Sequence, residues 1–206
     1  MPMPRNLESL PQVTNWIRSR RTIKPVDMDA ERALNAELVN ELLENACWAP
    51  THGMTEPWKF LVYSGKTRQD LASTLQELYE ATTPEENFRP DKFEKLGKQP
   101  LLAPVIIAIC MVRDPNGKIA EVEEVEAVAC AVQNLHLSAS AVGLAGFWST
   151  PPLLETEAAN SALNLAPNER CLGLFYLGWP KPEFTWPQSK RSPVESKVTW
   201  IAGPEA

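Results

Sequence analysis

Three segments, far apart in the chain, carry side chains able to hold an anionic or planar ligand. Residues 18–25 read RSRRTIKP, and Arg20, Arg21 and Thr22 stand together just behind a first helical pattern. Two planar guanidinium forks and a hydroxyl form a donor set matched to phosphate oxygens. The same residues also suit a solvated helix end, where the helix dipole favours cations. Residues 49–60 read APTHGMTEPWKF and set His52 in a loop with Thr51, Gly53 and Thr55. An imidazole there can hydrogen-bond a ligand, or serve as a solvated turn residue. Trp48, on the helix side of that loop, fits a ligand contact and a core position equally. Residues 143–152 read GLAGFWSTPP, where a long apolar pattern ends on Trp148, Ser149 and Thr150 before two prolines. The plain alternative there is that Trp148 fills the core while its neighbours turn the chain.

Other chemistries find no support. The chain holds no G-x-S-x-G elbow, no G-x-x-x-x-G-K-[ST] loop and no G-x-G-x-x-G after a strand. A separate Rossmann unit is therefore not expected. Its two histidines, His52 and His136, are far apart, so a zinc site would need unusual carboxylate help and no metal is expected. His136 lies mid-helix among apolar residues and reads as a hydrogen-bonded core histidine. Cys47, Cys110, Cys130 and Cys171 stand singly among apolar neighbours, each expected to be a buried, reduced thiol. A net charge of -6 argues against nucleic acid as the main partner, although local arginines can still hold one phosphate. No apolar run is long enough to cross a bilayer, and residues 1–10 lack the layout of a signal peptide. The expectation is no membrane partner and a cytoplasmic location.

Holding such segments together takes a core, and 206 residues suffice for one domain. Val13, Trp16 and Ile17 repeat at helical spacing and predict a first amphipathic helix ending near Arg20. A second helix is expected over residues 37–48, with Leu38, Val39, Leu42, Leu43, Ala46 and Cys47 on one face and Pro50 as its stop. Residues 58–64 (WKFLVYS) read as a strand, 66–80 as a helix, and 82–90 as an exposed polar loop. The continuous apolar run VIIAICMV, residues 105–112, suits a strand buried on both faces. Residues 122–142 predict a long central helix, with Val122, Val125, Val128, Ala129, Val132, Leu135 and Ala139 enclosed by other elements. Two more strands are expected at 144–149 and 171–177. Without a regular βαβ rhythm, an α+β sheet flanked by helices is favoured over a doubly wound one. From Trp179 onward the chain is rich in Pro, Trp and Lys, has little pattern, and suits an extended tail over about 180–206 that reaches a neighbouring subunit.

Taken in order, RSRRTIKP, APTHGMTEPWKF and GLAGFWSTPP resemble the nitroreductase family of flavin enzymes, and most of all its smaller members. The likeness runs from about Trp16 to Trp200. It implies a nitroreductase-like mixed sheet flanked by helices in an intertwined homodimer. It also implies an FMN cofactor and NAD(P)H as co-substrate. Hydride would pass through flavin N5 to a nitroaromatic, quinone or similar flat acceptor by a ping-pong route. Arg20, Arg21 and Thr22 resemble the step that holds the FMN phosphate and ribityl chain, and Lys190 and Arg191 resemble a second basic step near the C-terminus. Trp48 and His52 correspond to positions near the flavin. Trp148, Ser149 and Thr150 correspond to backbone lying against its ring, where N–H groups stabilise the electron-rich reduced state. Small residues over 138–143 correspond to a place near the nicotinamide. The resemblance further implies that residues 20–22 and 49–60 come from one subunit and residues 148–150 from the other. Glu56 stands where the family often has Gln, and a carboxylate cannot donate as an amide does. No side chain stands out as a catalytic acid. A second reading stays open, that of an FMN- or ligand-binding protein of this fold without NAD(P)H turnover.

Overall fold

The computed structural model describes residues 9–201. Residues 1–8, read above for a signal peptide, and the last five residues of the expected tail lie outside them. Helix α1 (Leu10–Ser19) ends one residue before Arg20. Its apolar stripe of Val13, Trp16 and Ile17 forms as expected, yet none of its residues is buried within the chain. After the short strand β1 (Met28–Asp29), Asn35 caps helix α2 (Ala36–Cys47), its side chain accepting from the Leu38 amide at 2.7 Å.

The sheet is built on β3 (Val105–Val112), which pairs antiparallel with β2 (Trp58–Ser64) on one side and β5 (Glu169–Pro180) on the other. Strand β4 (Ala145–Ser149) pairs with the far side of β5, and β1 pairs with the end of β5. A single parallel bridge from Thr22 to Gly146 extends the sheet past β4. Alternation along β3 explains its continuous apolar sequence. Val105, Ile107, Ile109 and Met111 face α2 and α5 (Glu121–Ala141), while Ile106, Ala108 and Cys110 face the opposite layer. That layer contains α3 (Thr67–Thr82) and α6 (Glu157–Ala162), with α4 (Pro90–Lys98) packed on α3. Both faces are covered, so no polar alternation is needed.

Several expectations need correction. Cys110 and Cys171 are buried, directly opposite one another across β3 and β5, but Cys47 and Cys130 are exposed. Cys47 sits one residue beyond Ala46, which rotates it off the face of α2 buried by Val39, Leu42 and Ala46. Within α5, Val128, Val132, Leu135 and Ala139 are enclosed, Val125 and Ala129 are half-buried, and Val122 is 60% exposed. Residues 82–90 are not simply a solvated loop. Phe88 packs between Tyr79 and Phe93, with ring centroids 5.2 and 5.8 Å away, and a turn at Glu85–Asn87 leads into α4. Apart from half-buried Phe184, residues 181–201 are exposed and contain no strand.

Candidate functional site

Arg20 follows the last turn of α1, and its backbone N–H donates to Trp16 O at 3.2 Å. From there the chain joins the sheet edge: Thr22 bridges Gly146, and the Ile23 amide donates to Gly146 O at 3.1 Å. Ile23 is itself 1% exposed, so one apolar anchor ties the polar segment to the core. The close approach requires Gly146, because an added Cβ would lie 2.7 Å from both His136 Cδ2 and Phe175 Cζ.

The arginines differ in what they hold. Arg21 spends its guanidinium on backbone, with Nε donating to Pro187 O at 2.7 Å and Nη1 to Arg18 O and Arg20 O. Arg20 Nη1 instead points to His136 Nδ1 at 3.4 Å and Thr22 Oγ1 at 3.5 Å. Arg191 lies close enough to act on Arg20. Burial first, then the charges of Arg191 and Arg21, lower the Arg20 pKa from its ordinary value. Among the described residues, none of the three pairs with a carboxylate. Three clustered cations with no counter-charge fit a dianionic phosphate.

Next along the chain from Thr22 is a cleft of about 530 Å³, lined by Lys24, Pro25, Val26, Phe147, Lys95 and Gln99 among others. Sequence reading missed Lys24, Lys95 and Gln99. The only signal available was the proximity of Lys24 to Arg20–Thr22, because α4 was not anticipated. Trp148 and Ser149 are half-buried and Thr150 is exposed. The Trp148 indole N–H is inaccessible and has no hydrogen-bond partner. It lies against Gly173, where φ is 137° and an added Cβ would meet Ser149 O at 2.5 Å. Residues 148 and 150 line a second cavity of about 290 Å³ with Val125, Glu155, Arg170 and Leu172.

His52 stands elsewhere. Its Nδ1 bonds Glu123 at the start of α5, in a loop where Gly53, Met54 and Glu56 all have positive φ. Such backbone is strained for Met54 and Glu56 by about 1–3 kcal/mol each. Next to Glu123, Glu124 is 1% exposed and holds the segment between β3 and α5, bonding Arg113 and accepting from the Asp114 amide at 2.7 Å. Thr51 Oγ1 accepts from the Glu56 amide at 3.2 Å. Trp48, 86% exposed, caps α2 ahead of this loop rather than filling the core. His136 and Glu123 are thirteen residues apart on α5, so Arg20 and His52 mark places about 20 Å apart along one helix. Within one chain, residues 20–22 thus adjoin β4, while the 49–60 loop stands at the far end of α5. The resemblance assigned both of these segments to the same subunit, and within one chain they stand apart.

Comparison with known proteins agrees with this architecture. The nitroreductase family model matches residues 17–179, and the chain belongs to that family. A relative in Bacillus subtilis, YfhC, carries the provisional name of an NAD(P)H nitroreductase. It is 25% identical over 202 residues, covering 97% of this chain and 99% of its own. The crystal structure of a nitroreductase-like protein from Bacillus cereus superposes with a TM-score of 0.79 at 26% identity, covering 98% of this chain and 100% of that one. A provisionally named nitroreductase from Desulfovibrio desulfuricans, solved in complex with FMN, gives 0.67 at 25% identity, covering 93% and 98%.

Proposed function

We propose that the protein is an FMN-dependent oxidoreductase that uses NAD(P)H to reduce nitroaromatic, quinone or similar flat acceptors. The carrying observation is the Arg20, Arg21 and Arg191 cluster, without carboxylate partners among the described residues, followed in the chain by Lys24 on the wall of the 530 Å³ cleft. The FMN complex of the Desulfovibrio relative and the NAD(P)H nitroreductase name of the Bacillus subtilis relative support the same reading. When bound, FMN supplies the two-electron chemistry, accepting hydride at N5 and delivering it to the acceptor. Arg20, Thr22 and Arg191 hold the phosphate end, and Arg21 ties that segment to the tail at Pro187. Lys24 and Gln99 offer donors to the polar edge of a ring in the cleft, beside Phe147. In this reading the backbone at Trp148, Ser149 and Thr150, which continues from Phe147, lies against the flavin ring, and small residues over 138–143 approach the nicotinamide.

The working unit in this reading is a homodimer with two sites, acting in the cytoplasm, where the facing Cys110 and Cys171 thiols stay reduced. The α1 stripe and α5 border an unfilled apolar groove of about 340 Å³ lined by Val13, Trp16, Ile17, Leu38, Leu42 and Leu137 among others. A two-fold arrangement with antiparallel α5 helices brings the Trp48 and His52 end of one chain to the Arg20 end of its partner. Each site then combines residues 20–24 and 146–150 of one protomer with the 49–60 loop of the other.

The test is the absorption spectrum of the purified protein, followed by NAD(P)H oxidation with a quinone or nitrofuran. A flavin spectrum and turnover above that of free FMN support the reading. A yellow protein without turnover identifies a flavin binder instead, and a protein that stays colourless with added FMN refutes both.

A further inference from the structure

We propose that His136 is a positioning residue that orients the Arg20 guanidinium for phosphate from within the core. This rests on the FMN reading above and assigns a task to a histidine that fills no catalytic role. His136 is 6% exposed on α5, yet both its ring nitrogens face the segment that carries the phosphate donors. Nε2 lies 3.0 Å from Arg21 O, and a carbonyl only accepts, so Nε2 carries the hydrogen. Nδ1 is then a bare acceptor, and Arg20 Nη1 donates to it at 3.4 Å. One ring therefore fixes the backbone of one arginine and the side chain of the other.

The ring has little freedom of its own. Phe175 packs against it edge-on, with centroids 5.3 Å apart at 82°, and Gly146 leaves no room for a Cβ beside its Cδ2 edge. Gly146 also bonds Ile23 and bridges Thr22, so the ring and the phosphate segment share one strand as their reference. Neutrality is essential to the device. An imidazolium would offer a hydrogen on both nitrogens and repel Arg20, whose charge faces it directly. Burial, and secondarily the Arg20 charge, push its pKa down to about 4, so it stays neutral at ordinary pH. A carboxylate here would also orient Arg20, but it would neutralise the charge that the phosphate needs. A neutral acceptor orients the fork and leaves its charge available. Holding a long, flexible side chain in advance lowers the entropy lost when the ligand binds.

The experiment measures FMN and riboflavin affinity of the apo-protein by flavin fluorescence, with thermal melting in parallel, for Arg20→Ala and for His136→Leu, His136→Asn and His136→Gln. Asn places an oxygen near the position of Nδ1, whereas Gln places its amide nearer Nε2. We expect His136→Leu to weaken FMN about tenfold, because the Arg20 side chain must then be ordered on binding, with riboflavin changed less than about twofold. His136→Asn should recover most of the FMN affinity and His136→Gln little of it. In the Arg20→Ala background, His136→Leu should have a clearly smaller effect on FMN, limited to the loss of its hold on the Arg21 carbonyl. Equal weakening of FMN and riboflavin, or additive losses with Arg20→Ala, would overturn the positioning role. If His136→Leu does not fold, the Asn and Gln variants decide, and Gln matching or exceeding Asn overturns it. Should Arg20→Ala itself leave FMN affinity unchanged, the phosphate assignment fails first, a result distinct from failure of the histidine alone.

Discussion

Arg20 and Arg21 are adjacent in sequence but are not equivalent. Arg21 is already committed to three backbone carbonyls, one of them in the tail, while among the described residues the Arg20 guanidinium bonds a neutral imidazole and a hydroxyl. Arg20→Ala should therefore weaken FMN binding by ~1.5–3 kcal/mol and leave apo-protein melting nearly unchanged. Arg21→Ala should lower both, because it also releases Pro187. Parallel titration and melting distinguish the two, and equal behaviour would show that the backbone bonds of Arg21 carry no weight. His136 gives this segment a pH signature. The unfolded chain takes up a proton on this histidine below about pH 6.5, whereas the folded chain refuses it until about pH 4. Its contribution is fully present above pH 6.5, declines as pH falls between 6.5 and 4, and levels off below. The loss is at most about 3 kcal/mol. Urea unfolding of wild type and His136→Asn across that window should show a shallower decline in the variant.

Among the elements, β4 is the one whose placement decides the site, since it touches α5, β5 and the phosphate segment together. Gly146→Ala puts a methyl group 2.7 Å from the His136 and Phe175 rings, neither of which can swing away. The expected cost is about 1–3 kcal/mol in overpacking, accompanied by loss of FMN affinity as the Thr22 bridge opens. Unchanged urea midpoint and flavin content would mean that β4 shifts freely. The continuous apolar run of β3 and the pattern of α2 made those elements legible from sequence. Helix α4 was not, because Pro90–Lys98 is rich in charge and buries no residue fully. Its place in the fold comes from half-buried Phe93 and Leu96, three residues apart and packing against the core on the α3 side, a helical spacing too short to stand out among the charges.

For the whole molecule, the question is what covers α1. Trp16 is 46% and Ile17 53% exposed on a helix with no buried residue. Burying one such side chain is worth roughly 1.5–3 kcal/mol, so a stripe of them facing water would be a standing cost. Light scattering at micromolar concentration should give twice the chain mass. Trp16→Glu should shift it toward the monomer and lower flavin content together, since the 49–60 loop would lose the partner site it completes. A monomeric wild type with full FMN occupancy would refute the composite site.

The sequence by itself determined the helices and strands with strong periodicity, the burial of β3, and the family, because residue type and spacing are local quantities. It also marked Arg20, Arg21, Thr22 and Arg191 as one donor set through their likeness to a known pattern. Tertiary structure alone decided which of the marked residues meet. It set Arg20 against His136, 116 residues away, and sent His52 to the opposite end of α5. It exposed Cys47 and Cys130 while facing Cys110 with Cys171. These outcomes depend on strand register, helix rotation and the absence of a Cβ at Gly146. Such distances arise between elements distant in sequence, and no local pattern encodes them.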